Sequence, residues 1–195
     1  MPHRNKMNSI RLAWRLLCLV CLLGSQQLAA NESSVEYKIK AGYLYNFTKF
    51  VAWSEDKTPT FNICILGDDP FGELLTPLEL RSVEKRAIKL FRFQTLDNLH
   101  RATHSALQCH ILFVSTTIQH QLGMLNIKLS LPNQANTLLI GDNDTFAGEG
   151  GMIGFINRDD KIKLQINLTA IKQAGLNVSA KLLEVAEPFK GTDHD

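Results

Sequence analysis

Short apolar runs alternate with helix-like segments along most of this chain, and this alternation is the feature that most constrains its fold. Each apolar run is short enough to be a buried strand, and each intervening segment is long enough to cross from one strand to the next. This pattern predicts an α/β domain whose central sheet is mostly parallel, with helices on both faces. The predicted strands are 61–67, 87–93, 110–115 and 136–142, with helical segments at 68–75, 95–107 and 118–130.

Different patterns precede and follow the alternation. Residues 36–53 predict a helix that is apolar around most of its circumference, which is typical of a helix packed on a core or a partner. Residues 151–168 predict a C-terminal β-hairpin that turns at Asp159 and Asp160. Two further helices are predicted at 168–175, where Gly175 ends the helix, and at 179–186.

Residues 1–30 have the three-part pattern of a secretory signal. Four basic residues and no acidic ones precede the apolar run 16–23, and small residues end the segment at Ala30. The run is too short for an ordinary membrane-spanning helix, which needs about 20 residues. We therefore predict a signal peptide, 1–30, that is cleaved after export by the general secretory route, and one domain over 31–195. An uncleaved anchor is the alternative.

The positive charge of the chain belongs to this leading segment. Residues 1–30 hold four of the 21 basic residues and none of the 19 acidic ones, so the remainder has a net charge of −2. A slightly acidic domain of ordinary composition does not predict nucleic-acid binding.

Two of the four cysteines also lie in residues 1–30, which leaves Cys64 and Cys109. Either residue alone would be expected to be a buried free thiol. Two cysteines in an exported protein can pair in an oxidising compartment, and this context favours a disulfide between them.

The glycine-rich stretch 141–155, GDNDTFAGEGGMIGF, is the strongest candidate for chemistry. Read as a calcium loop from Asp142, it would need Gly at 147 and Glu at 153, where it has Ala and Ile. Read as a dinucleotide loop, it would need a third glycine at 153, and a strand rather than a helix follows it. The remaining interpretation is a turn into the hairpin, in which Gly148, Gly150 and Gly151 adopt positive φ.

Acidic residues follow two of the predicted strands at the end where parallel sheets bind ligands. Helix capping by the pair at 68 and 69 is the simpler interpretation, and a metal cluster lacks a further ligand at suitable spacing. The histidines at 100 and 104 occur in HRATH, without the glutamate of a zinc protease motif. No catalytic residue, metal site or cofactor is predicted. The candidate ligand or partner contacts are Asp68, Asp69, Phe71, Asp142 and Asp144.

Four blocks of sequence resemble the YfiR family of bacterial periplasmic proteins. They are YKIKAGYLYNFTKFVAW, FNICILGDDPFG, CHILFVS and the long block from LLIGDNDTFAGEGG to AKLLEVA. Together they cover nearly all of residues 35–187 in the family's order.

This resemblance implies a non-enzymatic regulator rather than a catalyst. Members similar to YfiR restrain the periplasmic sensory domain of YfiN, an inner-membrane diguanylate cyclase, and so lower cyclic di-GMP and favour motility over biofilm. They are α/β domains that dimerise, and their control is tied to disulfide state. Other members carry a second cysteine pair near the C-terminal glycine loop. Here that region holds no cysteine, so at most one intrachain disulfide can form.

Two other classes of function stay open at this point. One is a periplasmic small-molecule-binding sensory domain that serves a sensor kinase. The other is an enzyme that uses the Asp68 and Asp142 end of the sheet.

Overall fold

A large mixed sheet dominates the computed structural model, which describes residues 34–53, 57–129, 135–159 and 161–189. The predicted signal and Asp160 lie outside these residues. The chain divides into two units, 1–38 and 39–195, and the described part of the first is helical. The strands are β1 (Val51–Trp53), β2 (Thr60–Leu66), β3 (Ser82–Val83), β4 (Arg86–Phe93), β5 (Ile111–Val114), β6 (Leu138–Gly141), β7 (Ile153–Arg158), β8 (Lys161–Ile166), β9 (Leu176–Val178) and β10 (Ala186–Pro188).

The order of strands in the eight-stranded sheet is β10-β8-β7-β6-β5-β2-β4-β3. The five strands from β7 to β4 in this order pair in parallel. At one end β8 pairs antiparallel with β7 and parallel with β10, and at the other end β3 pairs antiparallel with β4. Numbered along the chain, the parallel strands have the order 2-1-3-4-5 of a doubly wound sheet. The predicted α/β fold, mostly parallel sheet and C-terminal hairpin are confirmed.

Helices connect most of these strands. They are α1 (34–50), α2 (Leu96–His104), α3 (Thr116–Leu129), α4 (Leu168–Gln173) and α5 (Ala180–Glu184), with a 3₁₀ helix at Gly72–Leu80. Side chains cap the N-termini of three of these helices. Thr95, Asn167 and Ser179 each accept a hydrogen bond from a backbone N–H in the first turn. Gly175 follows α4 with φ of 74°, as its predicted role requires.

Aromatic and aliphatic residues pack α1 against the sheet. Leu44 and Phe47 are fully buried on this helix, and the ring of Phe47 lies 6.2 Å from that of Phe155 in β7. All four residues of β5 and all four of β6 are buried, as expected for central strands of a covered sheet.

Three segments differ from the predicted structure. Val51–Trp53 were predicted as helix but form β1, which pairs antiparallel with β9 in a separate two-stranded sheet. Residue 186, predicted as the end of a helix, begins β10, which pairs with β8. The helix predicted after Asp69 is a 3₁₀ helix containing Pro77, which has no N–H for an α-helical hydrogen bond.

Candidate functional site

The carboxyl ends of the parallel strands place most of the predicted contact residues at one edge of the sheet. The strand order reverses between β2 and β5, and doubly wound sheets bind ligands beside such a point. Asp68 and Asp69 follow β2, and Asp142 follows β6. We call this edge the carboxyl edge.

Asp69 connects two neighbouring strands and binds the backbone of the turn that precedes the 3₁₀ helix. Its carboxylate accepts hydrogen bonds from the backbone N–H groups of Phe71 at 2.9 Å and Gly72 at 3.2 Å. Its other oxygen lies 2.6 Å from Nε of Arg92, which is near the end of β4. The carboxylate of Asp69 is therefore already engaged by groups of this chain.

Asp68 and Phe71 differ in their exposure to solvent. Asp68 is exposed and accepts a hydrogen bond from the hydroxyl of Thr117 at 3.1 Å, which joins the ends of β2 and β5. Phe71 is only 2% exposed and packs edge-to-face on Phe113, with ring centroids 4.9 Å apart. Phe71 therefore contributes to the core, whereas Asp68 remains available to a partner.

Asp142 forms a buried ion pair with Lys40 of α1. Side-chain exposure is 3% for the lysine and 9% for the aspartate. The backbone carbonyl of Asp142 also accepts a hydrogen bond from Thr116 at the start of α3. This pair couples α1 to the carboxyl edge, since both charges are buried and breaking their contact is costly.

Lys40 is a site residue that sequence reasoning missed. It lies four residues before Leu44 and seven before Phe47, so it is on the buried face of α1. That spacing is a signal that could have identified it as a buried lysine. Its partner lies 102 residues away along the chain and leaves no such local signal.

The loop after β6 is held by its own polar side chains. Glu149 accepts hydrogen bonds from Nε2 of Gln119 at 2.8 Å and from the hydroxyl of Thr145 at 2.7 Å. Asn143 donates to the buried Gln119 and accepts from the backbone N–H of Thr145. The hydrogen bonds from Gln119 and then Thr145 lower the pKa of Glu149, and a slight desolvation of its carboxylate opposes them.

Glycines in this loop make room for Phe146, which is fully buried. A Cβ atom on Gly141 or on Gly151 would overlap the Phe146 ring. Of the three glycines predicted to need positive φ, only Gly150 has it, at 97°. The prediction was wrong for Gly148 and Gly151; Gly151 is required by close packing instead, and Gly148 lies against Phe189.

The acidic residues do not converge on a cation site. Within the described ranges, no group of three or more His, Cys, Asp or Glu side chains could hold a metal ion. Asp144 is exposed in the loop after β6, while Asp69 and Asp142 pair with separate cations. Of the acidic residues that were predicted as contacts, Asp68 and Asp144 are thus the ones that are exposed at the carboxyl edge.

A groove of about 530 Å³ lies apart from this edge. Its walls come from α1, β1, β3 and β9. Basic and aromatic side chains meet here, because Nζ of Lys49 lies 4.1 Å from the ring centroid of Tyr45 and the guanidinium of Arg81 lies 5.6 Å from it.

Cys64 and Cys109 form a disulfide across β2 and the start of β5, the pairing that the exported context favoured. Their Cα atoms are 5.8 Å apart, and the exposed fractions are 0% and 2%. A reductant in solution therefore has little access to either sulfur in the folded protein.

Comparisons with known proteins identify a family by sequence and several distant structural neighbours. A family model described as YfiR/HmsC-like matches residues 37–187. Among curated proteins, none matches the chain. Two similar solved structures are a conserved domain protein from Vibrio cholerae O1 biovar El Tor (14% identity, TM-score 0.48) and the ABC domain from Streptococcus pneumonia in complex with L-Trp (12%, 0.45).

Each of these two alignments covers 66% of this chain and 54% of the other, so the chain spans about half the length of either structure. Likeness at this level carries no argument about function.

Within the described residues, no helix is long and apolar enough to cross a membrane.

Proposed function

Because the chain belongs to the YfiR/HmsC-like family, we propose that it is a periplasmic regulator rather than an enzyme. In this proposal it binds the periplasmic sensory domain of an inner-membrane diguanylate cyclase and lowers cyclic di-GMP signalling. The observation that carries the proposal is the family match over residues 37–187, which includes nearly every described element.

A regulator of this kind acts by differential binding. A protein that binds the inactive form of a cyclase more tightly than the active form shifts the population toward the inactive form. The size of the shift depends on the ratio of the two affinities, not on the tightness of either alone. Repression therefore requires a surface that discriminates between two arrangements of the sensory domain.

The carboxyl edge is the surface that we propose for this contact. Asp68 and Asp144 are exposed there, and the buried pair of Lys40 and Asp142 supports the same edge from below. Exposed carboxylates on a rigid edge favour a basic patch on the partner, because complementary charges speed association and fix orientation. We also expect the regulator to act as a homodimer, the state that the family resemblance implies.

Deletion of the gene tests the proposal at the level of the cell. Cyclic di-GMP should rise in the deletion strain and return to its original level when the gene is supplied again. A gene that encodes the variant Asp68→Asn/Asp144→Asn should restore the cyclic di-GMP level incompletely. The control variant Lys57→Gln changes one exposed charge away from this edge and should restore the cyclic di-GMP level fully. An unchanged cyclic di-GMP level on deletion would contradict the regulator.

The groove favours a second candidate, a small-molecule-binding sensory domain that serves a sensor kinase. Its volume of about 530 Å³ lies in the usual range of ligand sites. A metabolite that raises the melting temperature of the purified protein, together with capture of a kinase and no cyclase after crosslinking, would support this candidate over the first.

A further inference from the structure

Helix α2 carries two exposed histidines one turn apart, His100 and His104. Their ring centroids are 4.1 Å apart and their planes meet at 53°. Residues at i and i+4 lie on the same face of a helix, one above the other, so the backbone itself brings the two imidazoles together.

An adjacent face of α2 anchors this helix to the protein. Leu99 is fully buried and Thr103 is 8% exposed. At the start of α2 the hydroxyl of Thr95 accepts a hydrogen bond from the backbone N–H of Asn98. The spacing of the two imidazoles is therefore set by folded structure and does not have to be ordered by a ligand.

Neighbouring charged groups leave the imidazole pair accessible. The guanidinium of Arg101 lies 3.2 Å from the carboxylate of Asp97 and also donates to the side chain of Asn98. Among the described residues, no side chain forms a hydrogen bond or ion pair with either ring. Both rings are consequently available to a ligand from solution.

We propose that His100 and His104 form a bidentate site for a divalent transition-metal ion of the Cu²⁺, Ni²⁺ and Zn²⁺ group. Imidazole nitrogen is a preferred ligand for these ions, and a helical pair at this spacing can chelate one ion through both rings. Imidazoles bring no negative charge, so hard cations such as Mg²⁺ and Ca²⁺ are not favoured. Cu²⁺ should bind most tightly of the three.

Two protein ligands leave the remaining coordination positions to water. Structural zinc sites close all four positions with protein ligands, whereas sites with open positions exchange their ligands. The proposed site is therefore a reversible surface site. It is separate from the carboxyl edge and does not depend on the regulatory function proposed above.

Two measurements test the site in the exported protein, which is prepared without a polyhistidine tag. One is retention on immobilised Ni²⁺, and the other is calorimetric titration with CuCl₂ and NiCl₂. The variants are His100→Asn, His104→Asn and the double variant. His120→Asn, an exposed histidine on α3, is the matched control. Chelation predicts that either single variant loses most of the binding, that the double variant loses no more, and that the control is unchanged.

Two results would overturn the site. One is wild-type binding by the double variant. The other is a loss of about half the binding in each single variant, as two independent imidazoles would give. Far-UV circular dichroism shows whether α2 remains folded, because both substituted residues are exposed. Ni²⁺ should also raise the melting temperature of the wild type and the control but not of the double variant, since only an ion bound to the native state stabilises it.

Discussion

The two ends of the parallel sheet are joined by different kinds of polar contact. Most contacts at the amino end are hydrogen bonds between neutral groups, although the guanidinium of Arg86 also donates to the hydroxyl of Thr58 at 3.4 Å. Nδ1 of the buried His110 accepts a hydrogen bond from the backbone N–H of Asn62 at 2.8 Å. Because that N–H can only donate, Nδ1 is the unprotonated nitrogen, and Nε2 faces the hydroxyl of Thr58 at 3.1 Å. The Cys64–Cys109 disulfide lies in the same region.

The carboxyl end uses charged groups and remains open to solvent. Lys40 and Asp142 pair beneath the edge, Asp69 pairs with Arg92 at its side, and Asp68 is exposed. Charged groups attract a partner over longer distances than neutral ones, and only exposed ones do so effectively. We therefore expect the amino end to contribute stability alone, and the carboxyl end to contribute stability as well as the partner contact proposed above.

Breaking the buried ion pair should have the largest effect on stability. Asp142→Asn removes the carboxylate that pairs with the buried Lys40 charge and should lower the free energy of unfolding by about 3–5 kcal/mol. Urea denaturation measures this change. The control Asp144→Asn, in the same loop but exposed, should stay within about 0.5 kcal/mol of the wild type. Equal stability of the two variants would show that the pair contributes nothing.

Removing the disulfide should have the next largest effect and act through the amino end. Cys64→Ala/Cys109→Ala should lose about 2–5 kcal/mol, because the unfolded chain is no longer constrained by the crosslink. Since both cysteines are buried, a mild reductant should cleave the bond in native protein far more slowly than in urea-unfolded protein. Equally fast cleavage would show that the bond is accessible and suited to redox control.

Replacing His110 tests the neutral contacts alone. His110→Leu leaves the buried backbone N–H of Asn62 without an acceptor and should cost about 1–3 kcal/mol. His120→Ala, an exposed substitution, serves as the control and should cost less than about 0.5 kcal/mol. If the His110 variant and the control had the same melting temperature, the stability of the amino end would come from apolar packing and the disulfide.

Glu149 should make the smallest contribution to stability, and this contribution should depend on pH. Its pKa is lowered in the folded state by hydrogen bonds from Gln119 and then Thr145. A lowered folded-state pKa stabilises the fold above the ordinary value of 4.5, and this contribution is lost as pH falls through the folded-state value. Glu149→Gln should therefore reduce the melting temperature at neutral pH, with the difference shrinking in acid. If the difference in melting temperature between the wild type and the variant were the same at all pH values, the role of the carboxylate would be contradicted.

Most strands of the fold could be predicted because each has at least four residues with a local apolar or alternating pattern. Four short strands could not, since two or three residues are too few to show a period. They are Val51–Trp53, Ser82–Val83, Leu176–Val178 and Ala186–Pro188. Pairing with the rest of the chain, rather than local preference, determines such short strands.

The candidate site was predictable only in its acidic residues. Their position after apolar runs placed Asp68 and Asp142 at one edge of a parallel sheet. The contact of Asp142 with Lys40 depends on the way α1 packs on that sheet. The need for glycine at 141 and 151 likewise depends on where the Phe146 ring lies, which no motif records.

Site-specific photocrosslinking in the periplasm tests most directly whether the carboxyl edge binds a cyclase. A photoreactive residue at Asp144 lies at this edge, and one at Ala87, an exposed residue of β4 beside Thr60, lies at the amino end. The account predicts that position 144 captures an inner-membrane protein with a diguanylate cyclase domain and that position 87 does not. Capture from position 87 alone, or no cyclase captured from position 144 of a folded and exported protein, would contradict it.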